Sequence, residues 1–170
     1  MERIAVFEKV SLGAFCQAYA LAHNEGGLEE AGKAYKELRL PERATTGSAG
    51  YDFYCPCDLV IKPGQEVMVP TGIRAKISVG YVLMLFPRSS LGFKYRLQLD
   101  NTVGIIDSDY YYAENEGHIF CKMINDSREG KTVVIHKGDR FAQGVFLPFG
   151  ITVDDAADGK RIGGFGSTDK

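Results

Sequence analysis

The chain has 170 residues and a mass of 18.7 kDa, a length that suits about one domain with a core that needs no disulfide bonds. Hydrophobic residues make up 45% and charged residues 25% of the sequence, which excludes a disordered chain and a coiled coil. The sequence has 20 basic and 22 acidic residues, a net charge of -2. It therefore lacks the excess of positive charge that is typical of nucleic-acid-binding proteins. No apolar run is long enough to span a membrane, and the 20 glycines indicate many turns.

The first quarter of the chain predicts one strand and two short helices. Residues 4–10 alternate imperfectly between apolar and other side chains, which indicates a strand. Residues 12–23 predict a helix with Ser11 as its N-cap. Residues 28–39 place apolar side chains at helical spacing, and Pro41 ends this second helix because the residue before a proline avoids helical backbone angles.

After Pro41 the pattern changes to short β-type runs separated by turn signals. The runs are 59–61, 66–69, 73–77, 81–86, 119–124, 132–136 and 141–147. Residues 62–65 have proline and glycine at the two central positions of a type II turn. Since no long helix separates the runs, we predict an all-β sandwich or barrel rather than an α/β fold. Residues 150–170 lose the apolar pattern, and alone they bury too little to fold.

The cysteines and histidines are interpreted as ordinary structural residues. The four cysteines, which lack the spacing of a zinc site, are Cys16, Cys55, Cys57 and Cys121. Reduced thiols favour the cytosol, while a disulfide pair stays open as the alternative. The three histidines are scattered and match no metal-binding motif.

The apolar run 12–22 has a targeting alternative. It follows Lys9 and ends in small residues, as the apolar region of a signal peptide does. However, Glu2 and Glu8 lie where a signal peptide has positive charge, and Gln17 interrupts the run. An internal helix is therefore the favoured interpretation.

Five short segments carry more polar residues and glycines than plain strands and turns require. In chain order they are 49–52, 87–92, 101–110, 138–143 and 161–168. The second segment places Arg88, Ser89 and Ser90 after an apolar run, and a cation with two hydroxyls is suited to bind an anion. In the third, Asp107 and Asp109 follow two isoleucines, and a carboxylate held there can act as a general base for water.

The fifth segment combines closely spaced glycines with a Ser-Thr pair, which lets backbone N–H groups approach phosphate oxygens. It lacks the lysine of a Walker A loop and is therefore not one. Taken alone, each of the five segments has an ordinary alternative, such as an Asp turn, a polar helix cap, a hairpin or a disordered tail.

Together, in this order and spacing, the five segments resemble the five signature motifs of the trimeric dUTPase family, the deoxyuridine triphosphate nucleotidohydrolases. The resemblance covers roughly residues 38–170. It implies a jelly-roll-like β-barrel domain over residues 1–158, here with a helical insertion at about 11–40, and a C-terminal arm over 159–170 that closes the active site. It also implies a cytoplasmic homotrimer in which each active site draws motifs from all three chains. No function is inferred for the helical insertion.

The same resemblance implies Mg²⁺-dependent hydrolysis of dUTP to dUMP and pyrophosphate, which keeps uracil out of DNA and supplies dUMP for dTMP synthesis. Mg²⁺ would be bound by the triphosphate, with Asp52 in contact only through water. Asp107 would activate the attacking water, and Tyr110 would pack on the deoxyribose and leave no space for a 2′-hydroxyl. The other residues that would contact substrate are Arg88, Ser89, Ser90 and Gln143 on the phosphates, Asn101, Gly104 and Ile106 around uracil, and Arg161, Phe165, Gly166, Ser167 and Thr168 in the closing arm.

Two alternative functions on the same fold are kept. In a dCTP deaminase a catalytic glutamate lies on the strand after the third motif, and alignment through Gly117 and Asn125 places Lys122 there. A lysine cannot act as the carboxylate that transfers protons to a leaving amine. A catalytically inactive nucleotide-binding regulator would be expected to lose Asp107 or the arm, and this sequence has both.

Overall fold

β-Strands form most of the ordered structure, and two helices are inserted after the first strand. The computed structural model describes residues 2–23, 28–159, 161 and 163. Its helices are α1 (Leu12–His23), α2 (Leu28–Glu37) and α3 (Ser89–Tyr95), with a 3-10 helix at Ser108–Tyr112. Its strands are β1 (Ala5–Lys9), β2 (Glu42–Arg43), β3 (Tyr51–Tyr54), β4 (Leu59–Ile61), β5 (Glu66–Pro70), β6 (Ile73–Ile77), β7 (Tyr81–Pro87), β8 (Leu97–Leu99), β9 (Gly104–Ile106), β10 (Phe120–Asn125), β11 (Val133–Ile135) and β12 (Arg140–Pro148).

The strands within the described residues form four antiparallel sheets. The largest has the strand order β2-β3-β12-β7-β9, and a second has the order β5-β10-β8. Two-stranded ladders join β1 to β6 and β4 to β11. The β class is confirmed, whereas these ladders do not close into a barrel over the part of the chain described, so the jelly-roll-like closure stays a prediction.

The core lies against the alternating faces of the central strands. Leu83 and Leu85 of β7 are buried two residues apart, as the period of a half-buried strand requires. On β12, a Cβ added at Gly144 would lie 2.8 Å from Leu83 Cδ1 and 3.0 Å from Phe53 Cε2. Glycine at this position therefore lets β12 pack closely on its neighbours.

Helix α1 is anchored at its first turn and buried along one side. Ser11 Oγ accepts a hydrogen bond from the backbone N–H of Ala14 at 3.1 Å, which confirms the predicted N-cap. The Ser11 N–H and hydroxyl also donate to the Glu116 carboxylate at 2.7 and 2.6 Å. Phe15 and Tyr19 are almost completely buried, so one side of this helix packs into the core, as the internal-helix interpretation requires.

The helical insertion begins and ends beside Gly72. The backbone N–H of Val10 donates to Gly72 O at 3.0 Å, just before the insertion. Gly72 has φ +73°, and an added Cβ would overlap Leu38, which follows α2, and lie 3.0 Å from Phe15 Cδ2 of α1. The Gly72 N–H donates to His118 Nε2 at 2.9 Å. A glycine is needed here for its backbone angle and for the space it leaves.

Most predicted elements are present, with ends shifted by at most two residues, and the type II turn is confirmed. Gly64 has φ +75°, and the N–H of Gln65 donates to Lys62 O at 3.0 Å. Leu28 is one of the apolar residues that the helical spacing of 28–39 places on a common face, but it is 73% exposed and does not pack in the core. All four cysteines are free thiols, as expected. None of the helices in the described part of the chain is both long and apolar enough to traverse a bilayer.

Candidate functional site

Three neighbouring strands bring the first, second and fourth sequence motifs together. Gln143 of β12 pairs with Asp52 of β3 on one side and with Phe86 of β7 on the other. Arg88 lies two residues beyond Phe86, as the N-cap of α3, and Ser89 and Ser90 begin that helix. Asp52, Gln143 and Arg88 therefore lie at the same end of the largest sheet.

A glycine in the first motif makes room for the Gln143 side chain. A Cβ added at Gly50 would lie 2.7 Å from Gln143 Oε1, a distance that real Cβ contacts essentially never show. The Asp52 carboxylate accepts a hydrogen bond from Arg140 at 3.1 Å. The motif thus holds an amide and an ion-paired carboxylate in neighbouring positions, which suits binding of a charged ligand.

The third motif places two carboxylates at the end of β9, where the arm's arginine reaches them. Asp107 is the extended residue before the 3-10 helix, and its side chain is 48% exposed. Arg161 donates to Asp107 Oδ2 at 2.5 Å and to Asp109 Oδ1 at 2.8 Å. Both carboxylates are therefore held by one guanidinium, a contact the sequence did not predict.

Tyr110 is fixed in the molecule through both hydrogen-bonding functions of its hydroxyl. The residue is only 4% exposed. Its hydroxyl donates to His118 O at 2.7 Å and accepts from Asn115 Nδ2 at 2.7 Å. Burial raises the pKa of Tyr110 above its ordinary value. The ring is therefore rigidly placed directly after the two carboxylates, with the Arg161 guanidinium 5.8 Å from its centroid.

A cavity of about 900 Å³ opens beside the hairpin of the third motif. Asn101 and Gly104 line it, and a Cβ added at Gly104 would lie 3.1 Å from Leu85 Cβ. Ile106 is 1% exposed, so only its backbone can contact a ligand. Ala14 and Ala18 of α1 also line the cavity, and the sequence did not predict them as site residues because the insertion carries no polar motif.

The strand register separates Asp107 of the third motif from Arg88 of the second motif within one chain. Continuing the ladder between β7 and β9 by one residue places Asp107 level with Val82, at the start of β7. Arg88 follows the other end of β7, six residues further along the chain. At about 3.3 Å per residue, the two positions are roughly 20 Å apart. Asp107 and Arg88 of one chain therefore do not share a single site.

Lys122, the position aligned with the catalytic glutamate of a dCTP deaminase, is held in two ion pairs. Its ammonium pairs with Glu66 at 2.6 Å and with Asp100 at 2.7 Å. Hydrogen bonds to Asp100 and Glu66 raise the pKa of Lys122 above its usual range. The position therefore carries a fixed positive charge, unlike the carboxylate that deamination requires.

The described residues contain no cluster of three or more histidine, cysteine, aspartate or glutamate side chains arranged to hold a metal ion. Asp52 is a single carboxylate beside Gln143, at the end of the largest sheet where Arg88 lies. This donor set fits an ion that a triphosphate carries and that touches the protein through water. Phe165, Gly166, Ser167 and Thr168 lie outside the described residues.

A family model for dUTPase matches residues 36–168. The chain belongs to the dUTPase family. It is 45% identical over 134 residues to the deoxyuridine 5′-triphosphate nucleotidohydrolase of Lactococcus lactis subsp. lactis (strain IL1403), covering 77% of this chain and 88% of the relative. The enzyme of the same name from Desulfitobacterium hafniense (strain DSM 10664 / DCB-2) is 43% identical over 141 residues, covering 78% and 89%.

Solved structures agree with this dUTPase assignment. The crystal structure of dUTPase from Streptococcus mutans is similar with a TM-score of 0.60 and 48% identity, covering 66% of this chain and 88% of that one. The structure of the dUTPase from phage phi11 of S. aureus has a TM-score of 0.63 and covers 92% and 97%. At 21% identity, the phage structure supports the dUTPase fold alone.

Proposed function

We propose that this dUTPase-family chain hydrolyses dUTP to dUMP and pyrophosphate, with Asp107 as the general base. Relatives over 40% identical along most of the chain are named for this reaction, so the chain is a dUTP diphosphatase. The observation that carries the residue assignment is the position of Asp107, a half-exposed carboxylate at the end of β9, three residues before the fixed ring of Tyr110.

In the proposed reaction, Asp107 accepts a proton from the water that attacks the α-phosphorus. Arg88, Ser89, Ser90 and Gln143 hold the phosphate oxygens from the other end of the largest sheet. Hydrolysis of a phosphoanhydride needs positioning and charge neutralisation more than covalent help. An arginine fork and nearby hydroxyl and amide donors are suited to both tasks.

Selectivity for the substrate comes from the third motif. Asn101 and the backbone of Gly104 and Ile106 recognise uracil. Asn101 and Gly104 also line the cavity beside it. The Tyr110 ring packs on the deoxyribose. Because its hydroxyl is already engaged with His118 and Asn115, it offers no free partner to a ribose 2′-hydroxyl. An unpaired buried hydroxyl costs about 1–3 kcal/mol, which disfavours UTP.

Mg²⁺ would enter with the triphosphate and neutralise part of its charge, and Asp52 would contact its water shell. Arg161 contributes a second source of positive charge. It pairs with both Asp107 and Asp109, and a triphosphate carries more negative charge than either carboxylate. We therefore expect substrate to draw the guanidinium toward the γ-phosphate and leave Asp107 available to the attacking water.

The assembly and the arm complete the proposal. A homotrimer with shared sites is supported by the roughly 20 Å between the positions of Asp107 and Arg88, because a neighbouring chain can supply the missing half. Residues 1–158 would form the jelly-roll-like domain and 159–170, with Phe165, Gly166, Ser167 and Thr168, the closing arm. Four free thiols favour a reducing compartment, and we assign the chain to the cytoplasm.

The deciding assay offers dUTP, dCTP, dTTP and UTP with Mg²⁺ and measures pyrophosphate and ammonia separately. We expect pyrophosphate from dUTP alone. Asp107→Asn should lower turnover about 10²–10⁴-fold with dUTP binding retained. The matched control is Asp109→Asn, which removes the neighbouring partner of Arg161 and should cost far less. Ammonia from dCTP, or near-normal turnover by Asp107→Asn, would overturn the proposal.

A further inference from the structure

A second cluster of polar side chains, none of them assigned to the dUTPase site, lies where α1 meets the loop after β3. Cys57 Sγ is 3.4 Å from His23 Nε2, at the end of α1. Tyr19 lines the same surface cavity as Cys57 and His23. The rings of Tyr19 and His23 pack with centroids 4.6 Å apart, which keeps both groups beside the sulfur. The Cys57 sulfur therefore lies beside an imidazole, with a phenol lining the same cavity.

Cys57 also lines a surface cavity of about 470 Å³, whose other walls come from α1, α2 and the segment around Lys137. Charges in this cavity are largely paired. Lys137 bonds Glu37 at 2.8 Å, and Lys33 bonds Glu29 at 2.8 Å. The cavity is therefore large enough for a small organic group, and its three carboxylates against two lysines give it no preference for an anion.

Two other thiols in the described part of the chain lack these features. Burial raises the pKa of Cys121 to about 12, so this thiol stays protonated and unreactive. The hydrogen bond to Cys57 and burial raise the pKa of Cys55, which makes Cys55 a donor rather than a nucleophile. Hydrogen bonds from Cys55, and then from His23 and Tyr19, lower the pKa of Cys57 well below that of an ordinary thiol.

We infer that Cys57 is a thiol–disulfide exchange site that forms mixed disulfides with small, uncharged low-molecular-weight disulfides entering from this cavity. The Cys57 thiolate attacks one sulfur of the disulfide RSSR. A new Cys57–S–S–R bond forms, the original S–S bond breaks, and RS⁻ leaves and takes a proton from solvent. The disulfide is the oxidant, and reduction by an excess of thiol reverses the reaction.

The test uses 4,4′-dithiodipyridine, an uncharged disulfide whose released thiopyridone is followed by absorbance. At pH 6 an ordinary thiol is almost entirely protonated, so Cys57 should react about 10-fold or more faster than N-acetylcysteine. We expect one fast equivalent per folded chain, located on the Cys57 peptide by mass spectrometry. In denaturant, all four thiols should react at ordinary rates.

Cys57→Ser should remove the fast equivalent, whereas the matched control Cys121→Ser should keep it. Tyr19→Phe retains the ring but removes the hydroxyl, and His23→Asn removes the imidazole; both should slow the fast phase at pH 6 more than at pH 9. Turnover of dUTP reports whether each variant is folded. A fast phase that survives in Cys57→Ser, or a wild-type rate no greater than that of N-acetylcysteine, would overturn the inference.

Discussion

The separation of Asp107 from Arg88 predicts that two inactive variants restore each other's activity when their subunits are mixed. Asp107→Asn removes the proposed general base, and Arg88→Ala removes a proposed phosphate donor. Each homogeneous assembly then lacks one half of every site. If a site takes Asp107 from one chain and Arg88 from a neighbour, mixed assemblies contain some intact sites.

The magnitude follows from the register and from statistics. Reacting atoms must come within about 3–3.5 Å, so groups on positions roughly 20 Å apart along one sheet cannot serve the same phosphate. Each variant alone should lose about 10²-fold or more in turnover. In a random equimolar mixture, half of the chains carry Asp107 and half carry Arg88, so about a quarter of the shared sites are intact.

The assay mixes the two purified variants under conditions that allow subunit exchange and follows pyrophosphate release from dUTP. Recovery to about a quarter of wild-type turnover is expected, and each variant mixed with itself is the control. Light scattering measures whether the assembly is trimeric. If mixing restores nothing although labelled subunits have exchanged, both residues act within one chain and the reasoning from strand register fails.

Three further predictions concern single positions and the arm. Gly50→Ala would push its Cβ against the Gln143 side-chain oxygen, so kcat/KM should fall about 10²-fold. The control Gly47→Ala, with open space around it, should have little effect. Equal kcat/KM values for the two variants would show that the position of the Gln143 amide is unimportant. Burial lowers the pKa of His118 from 6.5 to about 4, so the unfolded chain takes up a proton first as the pH falls. Stability should therefore drop by about 3 kcal/mol between those pH values, and His118→Gln should flatten the urea-unfolding profile; an unchanged profile contradicts this. Deleting residues 159–170 should leave size and melting nearly unchanged but lower turnover by orders of magnitude, and unfolding would instead make the arm structural.

The elements that the sequence predicts well are those with a strong local signal. The type II turn needs only Pro63 and Gly64, and the cap of α1 needs only Ser11, because each depends on residues adjacent in the chain. The short strands β2, β3, β8 and β9 were not predicted. Their pairing depends on partners far along the chain, as when Gly104 of β9 lies opposite Leu85.

For the site, motifs identify residues but not their distances. Nothing local indicates that Gly50 makes room for Gln143, 93 residues later, or that Arg161 holds Asp107 and Asp109. The separation of Asp107 from Arg88 also requires the ladder between β7 and β9, which is known only once the strands are paired. The cluster around Cys57 depends in the same way on where α1 ends.

The position of Gly72 has a consequence for how the helical insertion can be modified. The chain leaves the strands at Val10 and returns after α2 at Leu38, and both positions lie against this one glycine. The two ends of the insertion are therefore close together, so a short linker could replace it. The strand pairing in the rest of the domain need not change. A foreign helical hairpin of similar span could be exchanged at this junction, provided that it presents small or flexible side chains to Gly72.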